Sequence, residues 1–359
     1  MSAIYTQSKI FHFHRKLDDL EAGRVTPPVH VRLKPTNRCN HRCFYCCYRS
    51  ENLFLSERMN EQDEIPAVKL DEIAGDFVRM GVRAVTFSGG GEPLLHPRVP
   101  AVAEHLAEAG VKIALLTNGS RLFGAAAGML AARAAWVRVS IDAVRRSDYA
   151  RARGVAESEF DRVCRNLADF AGRRGRTCVL GVNFIVTREN SRDVAEFLAL
   201  ARELGVGQAK LSAAVVGTTP AEQGRYLRPF YRRVKEQIGE ARARLEGPGF
   251  AIVDKVHRPD AGGEGFVQDY PHCPFAQCLT VIAADQCIYT CQDKAYTAAG
   301  LLGSIRRRSF ARLWAGAAAR RRLAALDPSA ECRHHCVAQA KNRMLLDYLA
   351  ADPGHLDFV

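Results

Sequence analysis

Short apolar segments alternate with amphipathic ones from residue 29 to about residue 215, and no other feature restricts the fold as tightly. Strands are expected at 29–33, 82–88, 112–117, 136–141, 178–186 and 208–215. Helices at 67–80, 158–171 and 191–204 fit between them, the last with Ser191 as its N-cap and Gly205 as its stop. Nearly continuous apolar strands separated by helices form a parallel sheet with helical crossovers. Six such units predict a partial barrel rather than a closed eightfold one, and chemistry in such sheets gathers at the C-terminal strand edge.

At 359 residues the chain can bury one large core and a smaller one. It is 47% hydrophobic and 25% charged, as ordinary globular proteins are. No apolar run approaches the roughly 20 residues of a membrane-spanning helix, so no membrane partner is expected. Residues 1–16 mix His, Lys, Arg and aromatic side chains without an apolar centre, unlike a secretory signal. A cytoplasmic location follows, where twelve cysteines point to metal ligands rather than disulfides. The net charge of +12 admits an anionic partner, but the arginines are spread along the whole chain, which fits a generally basic composition equally well.

Cys39, Cys43 and Cys46 lie just past the first expected strand. Three thiolates on one short loop can bind three irons of a cubane cluster and leave the fourth iron open, the mark of a reactive cluster. A zinc site or chance spacing are the alternatives. A second motif, SGGGEP at 88–93, follows the second strand. Its glycines let backbone approach a ligand closely, and Glu92 places a carboxylate beside them that suits an ammonium group.

With these two motifs the chain resembles the radical S-adenosylmethionine (SAM) superfamily. The strand ends Thr117-Asn118-Gly119 and Ser140-Ile141-Asp142 add to the match, which covers about residues 29–215. The resemblance implies a TIM-like partial (β/α)6 barrel. It also implies that Cys39, Cys43 and Cys46 bind a 4Fe-4S cluster whose open iron is chelated by SAM. Gly90, Gly91 and Glu92 would hold the SAM amino group, Tyr45 would lie near the adenine, and Ser140 and Arg153 would contact the carboxylate or ribose. Asn118 faces the same edge, as does Asn183. Cys47 is left out, because a fourth thiolate would remove the open site.

Six of the twelve cysteines fall between 273 and 336. Residues 279–290 read as a hairpin turning at Asp285-Gln286, and Cys332 and Cys336 as the start of a later helix. This region is similar to the SPASM/twitch extension of some radical SAM enzymes, in which a glycine stands where Gln286 stands here. The resemblance implies one auxiliary 4Fe-4S cluster on Cys273, Cys291, Cys332 and Cys336, with Cys278 or Cys287 as alternatives to Cys273. A structural zinc on the same thiolates is the competing reading. The expected organisation is therefore an N-terminal extension (1–28), the barrel (29–246), a glycine-rich linker (247–270) and a small iron–sulfur domain (271–359).

The function implied is reductive SAM cleavage and hydrogen abstraction from a small molecule such as a sugar, aminocyclitol or nucleotide-linked compound, which the basic charge allows to be phosphorylated. A net oxidation or epimerisation would use the auxiliary cluster as electron relay, with a flavodoxin or ferredoxin as donor. The alternatives are a peptide- or protein-modifying enzyme and an iron–sulfur regulator that binds nucleic acid. No nucleic-acid-binding module is visible in support of the last.

Overall fold

The computed structural model describes residues 6–49, 57–258, 265–355 and 357. Residues 1–5 of the expected extension, 259–264 of the expected linker and 356, 358 and 359 of the expected C-terminal domain lie outside the described residues.

Ten strands form one sheet: β1 (His30–Leu33), β2 (Ala84–Phe87), β3 (Lys112–Thr117), β4 (Trp136–Ser140), β5 (Val179–Val186), β6 (Gln208–Ala213), β7 (Ala251–Lys255), β8 (Leu279–Ile282), β9 (Cys287–Tyr289) and β10 (Leu301–Ser304). Their order is β10-β9-β8-β1-β2-β3-β4-β5-β6-β7. Every pairing from β8 through β7 is parallel, and only β8–β9 and β9–β10 are antiparallel. The parallel α/β sheet expected from the alternation is what the chain forms. β7 and β8 are not neighbours in the sheet, so the barrel stays open.

Two parallel strands extend the expected six. β7 arises inside the stretch read as linker, where five neighbouring glycines and two prolines masked the short run 251–255. β8 belongs to the cysteine-rich region yet pairs with β1, Leu279 beside His30 and Ile282 beside Leu33. The C-terminal hairpin is thus continuous with the barrel sheet.

Helix Ala67–Met80 ends where expected, at Gly81 with φ 72°, a left-handed stop that glycine adopts without strain. The helix expected at 191–204 spans Val194–Glu203, and Ser191 does not cap it: its hydroxyl donates instead to the Arg188 carbonyl at 3.0 Å. Helix Pro220–Leu245 begins at a capping box of Thr219 and Glu222. One apolar cluster joins the helices to a single face of the sheet, through Val31 and Leu33 of β1, Val137 and Val139 of β4 and their neighbours. A second joins Ile10, Leu17 and Leu20 to Cys278 and Leu345, fastening the N-terminal segment to the last long helix, Gln339–Leu349.

The β8–β9 turn carries Gln286 at φ 60°, a conformation that costs a side-chain-bearing residue about 1–2 kcal/mol. Gln286→Gly is expected to raise stability by about 0.5–1 kcal/mol, part of the relief being offset by the greater freedom of glycine in the unfolded chain. Urea unfolding of the two proteins checks this, and an unchanged or lower midpoint would refute it.

Candidate active site and cluster ligands

The loop that follows β1 carries Cys39, Cys43 and Cys46, all half-buried, and two strand ends and a helix clamp it. From the β2 side, the Gly91 and Glu92 amides donate to the Thr36 and Arg38 carbonyls at 3.2 and 2.9 Å. From β3, Asn118 Nδ2 donates to Asn40 Oδ1 at 2.9 Å, between the first two cysteines. From helix Arg146–Arg153, the Arg153 carbonyl accepts from the Arg42 amide at 2.7 Å. A loop pinned at these points presents its thiols in one arrangement. Burial pushes the Cys39 thiol up to about 11 and raises that of Cys46, with Cys43 adding charge repulsion to both. Thiols clustered on one pinned loop suit a cationic metal centre, which binds them as thiolates.

Gly91 is dictated by this packing. A Cβ there would stand 2.0 Å from the Arg38 carbonyl oxygen. The close approach that the sequence assigned to a ligand is thus made first by the cysteine loop itself. Gly90 meets the same loop, its virtual Cβ 2.3 Å from Asn37 Oδ1.

Glu92 is buried, and its carboxylate accepts from the Leu94 amide (3.1 Å), Thr117 Oγ1 (2.7 Å) and the Asn118 amide (2.7 Å). It therefore welds the β2 turn to the end of β3. Burial raises its pKa, and these donors oppose the shift. Ser140 closes β4 and pairs in register with Asn183, which lies inside β5 rather than at its end.

Arg153 and Tyr45 converge on Asp142, a residue to which the sequence reading gave no role. Asp142 forms a buried ion pair with Arg153, accepts from the Tyr45 hydroxyl and accepts from the Ile185 amide at 2.5 Å. The Arg153 Nε is buried without a hydrogen-bond partner among the described residues. The signal for Asp142 was present in the strand end Ser140-Ile141-Asp142, but its three partners come from separate segments.

Cys47 is half-buried, with Cys46, Lys34 and Asp293 as its charged neighbours, and burial pushes its thiol up to about 12. Lys34 itself is fully buried, donates to the Tyr48 hydroxyl at 2.5 Å and is pushed down to about 7 by burial.

Cys273, Cys291, Cys332 and Cys336 line one cavity of about 70 Å³ together with Asp293 and Lys294. The Cys291 thiol is raised first by burial and then by Asp293 and the other three thiols, so the four share one space. Asn342 Nδ2 donates to Cys273 Sγ at 3.2 Å. Cys278 lies instead in the apolar cluster with Ile10 and Leu17, and Cys287 beside Asp285. Cys332 and Cys336 do not begin a helix. They occupy the connection between helix Pro328–Glu331, which Asp327 caps, and helix Gln339–Leu349. Among the described residues no three His, Cys, Asp or Glu side chains converge as on a single metal ion.

Residues 33–207 match the family model described as the radical SAM superfamily. Among curated proteins, the chain is 30% identical over 200 residues to a probable GTP 3',8-cyclase of Archaeoglobus fulgidus, covering 56% of this chain and 63% of that one. It is 32% identical over 137 residues to a GTP 3',8-cyclase of Ectopseudomonas mendocina, covering 38% and 39%. The matches thus span less than two thirds of these relatives. Among solved structures, the fold resembles Streptococcus suis SuiB bound to the precursor peptide SuiA, with TM-score 0.61, 15% identity, and coverage of 88% of this chain and 71% of that one. It also resembles anSMEcpe with bound AdoMet, with TM-score 0.57, 14% identity and coverage of 90% and 93%. Among the described residues no helix is long and apolar enough to cross a membrane. The clamped three-cysteine loop, the glycine turn packed on it and the family match over the same residues agree: residues 33–207 are a radical SAM domain, of a superfamily whose members bind a 4Fe-4S cluster and SAM.

Proposed function

We propose that this protein cleaves SAM reductively and abstracts hydrogen from a small molecule held in the barrel lumen, with a second 4Fe-4S cluster on the four C-terminal thiols. The observation that carries this reading is the presence of two separate thiol sets, three on a clamped loop and four around one cavity. Bound there, the reduced cluster and SAM would supply a 5'-deoxyadenosyl radical. Cys39, Cys43 and Cys46 would hold three irons of it and leave the fourth open to SAM. Glu92 uses three of about four acceptor sites on its carboxylate, which leaves one for the SAM ammonium group beside Gly90 and Gly91. The Arg153 Nε offers a donor to the SAM carboxylate or ribose, with Ser140 on the neighbouring strand end. Tyr45, tethered through its hydroxyl, keeps its ring fixed for the adenine. Asn118 acts on the cysteine loop through Asn40.

Four cysteine ligands would leave the auxiliary cluster no site for substrate, which favours an electron-relay role and a net oxidation; the external donor would be a flavodoxin or ferredoxin. The curated relatives are named for a cyclisation of GTP, which supports a phosphorylated, nucleotide-like substrate and keeps a lyase reaction open. A peptide substrate is the second reading, favoured by the shared fold of SuiB, solved with its precursor peptide.

Anaerobic reconstitution tests the pair of clusters. The wild type is expected to hold about eight irons per chain, and a Cys291→Ala/Cys336→Ala variant about four with SAM cleavage retained. About four irons with one zinc in the wild type would remove the relay role.

A further inference from the structure

Charged residues stand inside strands that otherwise read as apolar. On β1 the alternate positions His30, Arg32 and Lys34 share one face, opposite Val31 and Leu33 of the core. On β4, Val137 and Val139 are buried in the core while Trp136, Arg138 and Ser140 are half-exposed on the other face. On β6, Lys210 is flanked by the core residues Ala209 and Leu211 and is likewise half-exposed. These are the lumen faces of the barrel. Asn183 of β5 pairs with both Ser140 and Lys210, so the three lie at one level. Gly181 of β5 lies beside Arg138, whose Nε stands 3.5 Å from where a Cβ on that glycine would be, so the Arg138 side chain lies over β5. Lys341 enters from helix Gln339–Leu349.

The carboxylate that acts on this group is Asp293, which reaches Arg32 but does not act on Lys210 or Lys341. Among the described residues no ion pair joins Arg32, Lys210 or Lys341 to a carboxylate, and the Arg32 Nε is buried without a hydrogen-bond partner. The charges acting on Lys210 are those of Arg138, Arg32, Lys255 and Lys341, all cations, and together with burial they push it down to about 8. Arg32 and Lys255 act on Lys341 in the same sense. Cations brought together away from bulk water repel one another and lose hydration, so such a set lowers stability until an anion joins it.

We infer that Arg32, Arg138, Lys210 and Lys341 form an anion-binding wall of the lumen, built for a substrate that carries a diphosphate or longer phosphate chain. Four cations on four separate elements call for an anion with more than one charged group. The inference rests on the lumen being the substrate site, as proposed above. Arg32 and Lys341 also line the four-cysteine cavity, where they would offset the negative charge of a cluster. Arg138 and Lys210 do not line it, so they separate the two roles.

The test is calorimetric titration of the cluster-loaded protein with sodium pyrophosphate, and in parallel with inorganic phosphate and an acidic hexapeptide. Pyrophosphate is expected to bind saturably, more tightly than phosphate, and to weaken as salt is added. Lys210→Met and Arg138→Met should each weaken it at least about tenfold, the loss of a charge-assisted hydrogen bond, with the iron content unchanged. Lys210→Met should fold, since it removes a repelled cation, and the melting temperature of the ligand-free variant should equal or exceed that of the wild type; circular dichroism checks that Arg138→Met is folded before it is titrated. No saturable pyrophosphate binding, wild-type affinity in both variants, or preference for the hexapeptide would overturn the inference. SAM cleavage is scored separately, so an enzyme that makes 5'-deoxyadenosine but ignores pyrophosphate would sink this inference and leave the proposed function standing.

Discussion

Replacement of Cys39, Cys43 and Cys46 by alanine is expected to remove about four of about eight irons and to lower 5'-deoxyadenosine formation at least about a thousandfold, which corresponds to about 4 kcal/mol of barrier. The size of the effect follows from the way the loop is built. Its thiols are held by hydrogen bonds from the β2 turn, the end of β3 and helix Arg146–Arg153. Cys47, the one further thiol on this loop, has Lys34 and Asp293 as neighbours besides Cys46, and alone it cannot replace three ligands. The four C-terminal thiols occupy their own cavity and should keep their iron. Iron analysis, with chromatographic detection of 5'-deoxyadenosine under dithionite, reads both quantities. Retained SAM cleavage would disprove the assignment of the three ligands. Cys47→Ser, by contrast, should leave the iron count at the wild-type value.

Asp142→Ala is expected to destabilise the fold by about 3–5 kcal/mol, the cost of leaving a buried guanidinium without its carboxylate. Side-chain exposure is 4% for Arg153 and 1% for Asp142, so water cannot take over the missing partner. The same substitution strands the Tyr45 hydroxyl and the Ile185 amide, which also lose their acceptor. Urea unfolding measures the change. The decisive comparison is with Asp142→Ala/Arg153→Met, which deletes the stranded charge as well. The double variant should regain at least about 1 kcal/mol over the single one. If it is no more stable, the uncompensated charge is not the cause. SAM affinity should fall in both variants, because the Arg153 backbone also holds the cysteine loop through Arg42.

The correspondence between sequence and structure divides along the range of the interactions. Helix Ala67–Met80 and strand Lys112–Thr117 lie where periodicity places them, since each depends on residues within a few positions of one another. The hairpin turn at Asp285-Gln286 was legible too, although Gln286 takes the positive φ that glycine takes without strain. Strand β7 was missed because the run 251–255 is short and becomes a strand only by pairing with β6. The docking of β8 beside β1 joins residues about 250 positions apart, and nothing local announces it.

The amino-acid sequence by itself determined the alternating α/β order, the three-cysteine loop and the glycine turn beside it, because all of these reside in spacing along the chain. Tertiary structure alone decided that Cys273 and not Cys278 joins the C-terminal thiols, since Cys278 is drawn into apolar packing with Ile10 and Leu17. It alone made Asp142 the partner of Tyr45 and Arg153, and gathered Arg32, Arg138 and Lys210 from three strands into one lumen. The physical reason is that burial and charge act through space, and which residues share a space is set only once the sheet has curled.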